Sequence, residues 1–408
     1  MLSPRLLILG NGGAAVNAIK AARLAGHHGE ICQVADISGP AFNPMLSPYF
    51  LKGTIAWDNC FPFGSDFYQH YDVNCHFGSR VEALDAENRL ARLANGKQLS
   101  YDRCLIATGA DSVIPPVPGL KDSPHAFPLR TPQSALRLKQ VMQESKKAVV
   151  LGASLVGVKV AEILNRQHVD VILLDVADKM LTGGAHATSA AFLEEYFSQQ
   201  GVDVRLGCGL EGLEGTSEGV CCFFPESIIE EADFVAVCTG IRPNLEFLDP
   251  AQIEIGDAIL VDEQMRTSVE GLYAAGDVCQ GLNRLSGKRE WMGTWGNACY
   301  QGRTAGFNMA GKYTAYPGAL PQHISPFFDW TYAQVGDVQR QGENVHSEFH
   351  GNPFDGMYRV VTYDNDIPVG VNLFNCLDGL GEMKKAITDQ TGWPTTKTAC
   401  RQFLQHCR

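Results

Sequence analysis

The sequence predicts an α/β protein with two doubly wound parallel-sheet domains and a smaller α+β domain at its C-terminal end. A strand-like apolar run, a glycine-punctuated turn and a helical stretch follow one another twice, at residues 6–24 and 148–163. After about residue 312 the pattern changes to aromatic and glycine-rich segments that alternate like antiparallel strands. With 408 residues, 45% of them apolar, the chain is long enough for two or three domains.

The first repeat opens with an apolar strand over Leu6–Leu9 that runs into the turn Gly10-x-Gly12-x-x-Ala15. Gly10 permits a tight turn, Gly12 lets backbone N–H groups approach a pyrophosphate, and Ala15 allows the next helix to pack closely. The positive end of that helix dipole then faces the anion. The order predicts a dinucleotide site, although such turns also occur without a ligand.

The second repeat strengthens this prediction because it has the same parts. A strand over residues 148–151 leads into Gly152-x-Ser154-x-x-Gly157, and a helix containing Ile163 follows. Ser154 stands where a second glycine is usual, and its small side chain hinders the approach of a phosphate only slightly. Two such units in one chain predict two bound dinucleotides.

In both repeats the next strand ends at an aspartate. Residues 31–35 precede Asp36, and residues 169–174 precede Asp175. A carboxylate at this place can accept hydrogen bonds from ribose hydroxyls, whereas it would repel a 2′-phosphate, so Asp175 favours NADH over NADPH. Lys179 lies nearby and keeps NADPH open as an alternative.

Three further stretches place both repeats in one architecture. Residues 101–110 read as a buried strand that runs into a glycine turn, and residues 234–244 repeat that pattern. Residues 271–278 end a strand with Asp277 at its carboxyl end. Each has a plainer interpretation, an ordinary turn for the Thr-Gly pairs and a helix cap for Asp277.

Taken in order, the motifs resemble those of the pyridine nucleotide-disulfide oxidoreductases, flavoproteins with two Rossmann-like domains. The resemblance covers roughly residues 5 to 340. It rests on the motifs Gly10-x-Gly12-x-x-Ala15, Ala107-Thr108-Gly109, Gly152-x-Ser154-x-x-Gly157, Thr239-Gly240-x-Arg242-Pro243-Asn244 and Ala275-Gly276-Asp277.

The resemblance implies a domain for each cofactor. An FAD-binding domain would comprise residues 1–115 and 244–312, an NAD(H)-binding domain residues 116–243, and an interface domain residues 313–408. In the last, strands are expected at residues 327–330, 357–363 and 369–374, followed by a helix at residues 381–387.

The resemblance also implies roles for single residues. FAD would lie against Gly10, Gly12, Ala14, Ala15, Asp36, Ala107, Thr108, Gly109, Gly276, Asp277 and Trp295. NADH would lie against Gly152, Ser154, Leu155, Val156, Gly157, Asp175 and Gly240. Asp277 would bond the ribityl chain of FAD. Trp295 begins a stretch similar to the helix whose start faces the flavin pyrimidine ring, for which a plain packing helix is the alternative.

The branch of the family depends on a missing residue. Disulfide reductases of the family carry C-x4-C after the first strand-acid unit, and the NADH peroxidase and oxidase branch carries one cysteine there. Residues 38–53 hold none, so a thiolate mechanism has no residue at that place. Cys60 and Cys75 are the nearest thiols. The stretch is instead similar to that of rubredoxin and ferredoxin reductases.

Two lysines are candidates for a catalytic charge. In those relatives a lysine after the Leu-Ser pair lies near the flavin and pairs with a glutamate on the NAD helix; Pro48 and Lys159 occupy these places here. One hypothesis is that Lys159 supplies positive charge that favours anionic reduced flavin. The alternative is that Lys159 points to solvent, and Lys52 is a second candidate.

The implied function is electron transfer between NAD(H), through FAD, and an iron–sulfur protein or subunit. The sequence also resembles FAD/NADH-binding subunits of multi-subunit aldehyde or 2-oxoacid oxidoreductases, such as those of phenylglyoxylate dehydrogenase and tungsten aldehyde oxidoreductases. A hetero-oligomer or a homodimer is compatible with this. Two alternatives are an NADH oxidase or peroxidase acting on O2 or H2O2, and a non-catalytic flavoprotein for assembly or sensing.

Composition excludes other classes. The net charge is −12 and Lys and Arg form no run, which argues against nucleic-acid binding. No apolar run reaches about 18 residues, so no membrane span is expected and a cytoplasmic location is the default. The 13 cysteines include no C-x-x-C pair, so no metal or cluster site is expected.

Overall fold

The computed structural model describes residues 3–392. Up to residue 151 its strands and helices are β1 (Leu6–Leu9), α1 (Gly13–Leu24), β2 (Ile31–Ala35), α2 (Ser47–Lys52), α3 (Phe67–His70), β3 (Val73–Phe77), β4 (Val81–Asp85), β5 (Leu90–Leu93), β6 (Gln98–Ser100), β7 (Arg103–Ile106), β8 (Ala110–Ser112), β9 (Ala126–Pro128), α4 (Pro132–Met142) and β10 (Lys147–Leu151). Up to residue 260 there follow α5 (Leu155–Arg166), β11 (Asp170–Asp175), α6 (Ala187–Gln199), β12 (Asp203–Leu206), β13 (Gly212–Gly215), β14 (Val220–Phe224), β15 (Ile228–Ala232), β16 (Phe234–Val237), β17 (Ile241–Pro243) and β18 (Ile259–Leu260). The remaining elements are β19 (Leu272–Ala274), β20 (Cys279–Leu282), β21 (Arg289–Trp291), α7 (Trp295–Met309), β22 (Gln322–Phe327), β23 (Trp330–Gly336), β24 (Val345–Asn352), β25 (Met357–Asp364), β26 (Ile367–Phe374) and α8 (Leu380–Asp389).

The chain forms two compact units, each built from separate stretches of sequence. Unit 1 comprises Met1–Asp111, Arg130–Pro132 and Ile241–Ala319. Unit 2 comprises Ser112–Leu129, Gln133–Gly240 and the chain from Leu320 onward. This division is coarser than the four predicted domain segments, whose boundaries stay a prediction.

Unit 1 is centred on a five-stranded parallel sheet in the order β19-β7-β1-β2-β3. β1 lies in the middle, with Leu6 opposite Ile31 on one side and Arg103 on the other. All four of its residues are buried, as expected for a strand that is covered on both faces. The α/β prediction is confirmed, and the predicted strand at residues 31–35 has the observed bounds.

Helices α1 and α7 pack closely in unit 1 because α7 carries glycine where the two backbones meet. A Cβ atom on Gly302 would overlap the carbonyl oxygen of Ala14, and one on Gly306 would overlap that of Ala18. Smaller sheets of unit 1 have the strand orders β4-β5-β6 and β18-β20-β21, and β8 pairs with β17.

Unit 2 repeats the parallel architecture with the strand order β12-β11-β10-β16-β9. Helix α5 follows β10 directly and packs on this sheet through a largely buried face. A second sheet, β13-β14-β15, is antiparallel. The second predicted strand-turn-helix-strand repeat is therefore confirmed.

The C-terminal part of unit 2 is a five-stranded antiparallel sheet in the order β22-β23-β26-β25-β24, followed by α8. The predicted strand at residues 327–330 is wrong: Phe328 and Asp329 form the turn of a hairpin, and Phe328 has a φ of +50°. The aromatic cluster there reflects packing rather than an extended strand.

Residues 393–408 of the predicted interface domain lie outside the described residues. Within residues 3–392, no helix is long and apolar enough to cross a membrane.

Candidate functional site

Unit 1 contains a cavity of about 730 Å³ where four of its parallel strands end. This volume lies within the range that is usual for cofactor sites. The cavity brings together residues that are far apart in sequence. Ten of the predicted FAD residues line it, namely Gly10, Gly12, Ala14, Asp36, Ala107, Thr108, Gly109, Gly276, Asp277 and Trp295.

The turn after β1 has the geometry that a pyrophosphate requires. Gly10 has a φ of +114°, and a Cβ atom there would lie 2.5 Å from the carbonyl carbon of Ala107, so only glycine fits. A Cβ atom on Gly12 would meet open space in the described part of the chain. Gly12 also caps α1 without a side-chain hydrogen bond from any described residue, which leaves the first N–H groups of α1 for an anion. These residues fit FAD.

Two predicted FAD residues near this turn, Asp36 and Ala15, differ in whether they line the cavity. Asp36 follows β2, is exposed and lines the cavity, as a ligand of ribose would. Ala15 is fully buried in α1 and does not line the cavity. Its place in the motif is explained by packing of the helix on the sheet rather than by contact with a ligand.

Asp277, which follows β19, has an ion-pair partner that the sequence did not indicate. Arg130 Nη2 lies 2.6 Å from Asp277 Oδ2, and Arg130 Nε donates to the carbonyl oxygen of Ala110 at 3.0 Å. Trp291 Nε1 donates to the backbone oxygen of Asp277 at 2.8 Å. Because 147 residues separate Arg130 from Asp277, no local pattern could have revealed the pair.

Other lining residues hold one another in place. Thr108 Oγ1 donates to the backbone oxygen of Asn244 at 3.2 Å, and Asn244 Nδ2 donates to that of Thr108 at 3.1 Å. Trp295 is the first residue of α7, whose N-cap Thr294 accepts a hydrogen bond from the backbone N–H of Asn297. Asn244 ends the Thr239–Asn244 motif, so its contact with Thr108 had a signal in the sequence although no role was predicted for it.

The turn after β10 in unit 2 repeats the first turn. Gly152 has a φ of +109°, and a Cβ atom there would lie 2.5 Å from the carbonyl oxygen of Cys238. Ser154 Oγ donates to that same oxygen at 3.1 Å, which explains why a serine is accommodated where glycine is usual. A Cβ atom on Gly157 would overlap the carbonyl oxygen of Gly152. The start of α5 can therefore pack this closely on the turn only because residue 157 is glycine.

Asp175 braces this turn from the end of β11. Its Oδ2 accepts from the backbone N–H of Ala153 at 2.7 Å, and its Oδ1 accepts from that of Ala177 at 2.9 Å. Each carboxylate oxygen has a second lone pair that can accept from a ribose hydroxyl. Among the other predicted residues, Leu155 and Val156 begin α5, and Gly240 is exposed with a φ of +110°. The turn fits NAD(H).

The two candidate catalytic lysines do not line the unit 1 cavity. Lys159 is buried, so the alternative that it points to solvent is wrong. Its Nζ lies 2.5 Å from Glu162 Oε2, donates to the carbonyl oxygen of Pro326, and lies 5.7 Å from the centre of the Phe327 ring. Lys52 ends α2 and is partly exposed. A role of either toward the flavin stays a prediction.

Cysteine is not found among the residues that line the described cavity. Burial raises the pKa of Cys60, and it raises the pKa of both Cys75 and Cys299 to about 11. A raised pKa favours the protonated form of these thiols near neutral pH. Within residues 3–392, no three His, Cys, Asp or Glu side chains are grouped as a metal site would require.

Comparison with known proteins agrees with this geometry. The family model "Pyridine nucleotide-disulphide oxidoreductase" matches residues 4–302. The NADH-dependent phenylglyoxylate dehydrogenase subunit epsilon of Aromatoleum evansii is 32% identical over 95% of this chain and 92% of its own length. The NADH oxidase of Methanocaldococcus jannaschii is 28% identical over 84% of this chain and 76% of its own. The structure of the covalent putidaredoxin reductase–putidaredoxin complex matches with a TM-score of 0.89 and 23% identity, over 100% of this chain and 99% of that one.

Proposed function

The chain belongs to the pyridine nucleotide-disulphide oxidoreductase family, and from this premise we propose that it passes electrons between NAD(H) and an iron–sulfur protein or partner subunit. It is an oxidoreductase that uses FAD and NADH. When bound, FAD supplies the chemistry, since it exchanges a hydride with the nicotinamide and can exchange single electrons with a second partner. The protein supplies binding, orientation and electrostatics.

The residues of unit 1 would hold the cofactor at defined atoms. The N–H groups at the start of α1 would face the pyrophosphate, and Asp36 would accept from the adenosine ribose. Asp277 would accept from the ribityl hydroxyls, and its ion pair with Arg130 fixes the carboxylate in one orientation. In unit 2, Asp175 would accept from the ribose of NADH.

The observation that carries the proposal is the lining of the described cavity, which contains no cysteine. A reductase that passes electrons through a thiol needs a reactive sulfur against the flavin, and the thiols of Cys60, Cys75 and Cys299 have raised pKa values. These observations support a route in which electrons leave the flavin directly. Iron–sulfur proteins accept single electrons, which suits them as direct partners of a flavin.

A relative that matches nearly the whole chain supports a more specific proposal for the partner. Phenylglyoxylate dehydrogenase subunit epsilon is one subunit of a larger enzyme, and it matches 95% of this chain. We therefore assign this chain as the NAD-reducing subunit of an aldehyde or 2-oxoacid oxidoreductase, in which electrons from the oxidised substrate reach NAD+.

An anaerobic experiment tests the function in two steps. Purified holoprotein is mixed with NADH, and separately with NADPH, while the flavin absorbance is followed; we expect NADH to bleach the flavin faster. Oxidised ferredoxin is then added, and recovery of the flavin absorbance together with loss of ferredoxin absorbance is expected. Co-purification from the native source with subunits that carry iron–sulfur clusters would support the subunit assignment. A flavin that NADH does not bleach would instead indicate a non-catalytic module.

An NADH oxidase is the second candidate, because the Methanocaldococcus jannaschii relative carries that name. The same preparation in air distinguishes it. An oxidase consumes O2 and NADH at rates that match or exceed the rate of ferredoxin reduction, whereas an electron-transfer subunit does so much more slowly. Trapping of a cysteine sulfenate during turnover would contradict the proposed route.

A further inference from the structure

Three polar side chains form a network underneath the turn that faces the unit 1 cavity. Gln33 Nε2 donates to the backbone oxygen of Gly10 at 2.9 Å and to Asn11 Oδ1 at 3.1 Å. The Tyr68 hydroxyl donates to the same Asn11 Oδ1 at 2.7 Å, and Asn11 Nδ2 donates to the backbone oxygen of Gly39 at 3.0 Å. Because backbone oxygens only accept hydrogen bonds, these contacts fix the orientation of both amides.

Gln33 is an unfavourable residue for its position. It lies in the middle of β2, a parallel strand in which all five residues are buried, and its own exposure is 0%. Its Oε1 is buried and meets no hydrogen-bond donor among the described residues. An unpaired buried acceptor destabilises a fold, and an apolar side chain of similar volume would avoid this cost. The presence of glutamine at position 33 is therefore explained by the two hydrogen bonds that its Nε2 group donates, to the backbone oxygen of Gly10 and to Asn11 Oδ1.

The network holds two segments that line the cavity. Asn11 lies between Gly10 and Gly12 in the turn, and Gly39 belongs to the segment that contributes Ile37, Pro40 and Phe42 to the lining. Tyr68 is buried with its ring against Phe77, at 5.1 Å between centroids, so its hydroxyl reaches Asn11 from a packed position. The side chain of Asn11 thereby joins β2, α3 and both lining segments.

We propose that Gln33, Asn11 and Tyr68 are positioning residues that fix the FAD-binding turn in its binding geometry before the cofactor enters, at the expense of the stability of the apoprotein. The inference rests on the proposed FAD site in unit 1. A turn that is held in place gives up less conformational freedom when it binds, which increases affinity. None of the three side chains is required to touch FAD through its own polar atoms, since each is engaged with the others or with backbone.

The variant Gln33→Leu distinguishes a role in positioning the FAD-binding turn from a role in stabilising the fold. We expect the full-length apoprotein of this variant to melt at the same temperature as the wild type or higher, because the unpaired acceptor is gone. We expect the dissociation constant of FAD, measured by quenching of its fluorescence, to rise about fivefold to tenfold, as for the loss of two hydrogen bonds to the turn. Gln69→Leu changes an exposed glutamine of α3 and is the matched control, with no expected change in affinity.

Tyr68→Phe is the second variant and keeps the ring packing while removing one hydrogen bond. We expect it to weaken FAD binding by a smaller factor than Gln33→Leu and to leave the melting temperature of the apoprotein nearly unchanged. The proposal is overturned if both variants bind FAD as the wild type does, or if affinity falls only as far as apoprotein stability falls. A wild-type apoprotein that binds no FAD would overturn the FAD site itself, which is a different result.

Discussion

The substitution Gly152→Ala in the turn after β10 tests the proposed NADH site. Gly152 has a φ of +109°, and a Cβ atom there would lie 2.5 Å from the carbonyl oxygen of Cys238, where real contacts of this kind stay above 3.0 Å. The unusual φ costs an alanine about 1–2 kcal/mol, and the overlap adds about 1–3 kcal/mol. We expect the free variant to relieve this strain by moving the turn away from Cys238, so that NADH binding has to bring the turn back into place.

A restoring cost of about 2 kcal/mol corresponds to a roughly thirtyfold weaker affinity for NADH. Stopped-flow reduction of the bound flavin at increasing NADH concentration gives the apparent dissociation constant, and FAD content should stay normal because unit 1 is unchanged. Gly207→Ala is the matched control, since Gly207 has a φ of +64° in unit 2 but a Cβ atom there meets no described atom within 4 Å. Equal NADH affinities for the two variants would refute the reasoning.

Three further predictions concern charged and titrating groups. Asp175→Ala removes the carboxylate that would accept from the ribose hydroxyl of NADH and repel the 2′-phosphate of NADPH, so the ratio of NADH to NADPH efficiency should fall about tenfold in steady-state assays; an unchanged ratio would contradict the role. Arg130→Met leaves Asp277 without its ion-pair partner, so FAD should dissociate about tenfold more readily on dilution, and full retention would count against the pair. Burial lowers the pKa of His323 from 6.5 to about 4, so the unfolded chain binds more protons between these values and stability should fall by about 3 kcal/mol as pH drops from 6.5 to 4. His323→Gln should flatten the dependence of urea unfolding on pH in that range, whereas the same change at exposed His28 should not.

The sequence predicted the features that local pattern determines. The strands before Gly10 and Gly152 are continuous apolar runs because parallel strands are covered on both faces, and glycine marks the turns because a Cβ atom has no room there. The close packing of α7 on α1 through Gly302 and Gly306 was not predicted from the sequence. Local pattern therefore predicted both parallel units, and the resemblance to the family supplied ten of the residues that line the cavity.

The features that were missed depend on contacts between distant segments. Arg130 meets Asp277 across 147 residues, and Tyr68 meets Asn11 across 57. The burial of Lys159 follows from the hairpin of Pro326 and Phe327, which no pattern near residue 159 indicates. The incorrect strand at residues 327–330 has a similar origin, because Phe328 packs on Phe197 of α6 and Phe327 packs on Tyr332 of the next strand, so that the aromatic run resembles a buried strand in sequence.

The interrupted course of unit 1 governs how the protein can be made on the ribosome. Strands β1, β2, β3 and β7 are synthesised early, but β19 and α7 emerge only after residues 133–240 have been added. Until then the alanine-rich face of α1 lacks the glycine helix that covers it, and the edge of β7 lacks its neighbour. The cavity of unit 1, which α7 helps to line through Trp295 and Ala298, can therefore be completed only after the parallel strands β10, β11, β12 and β16 of unit 2 have been translated.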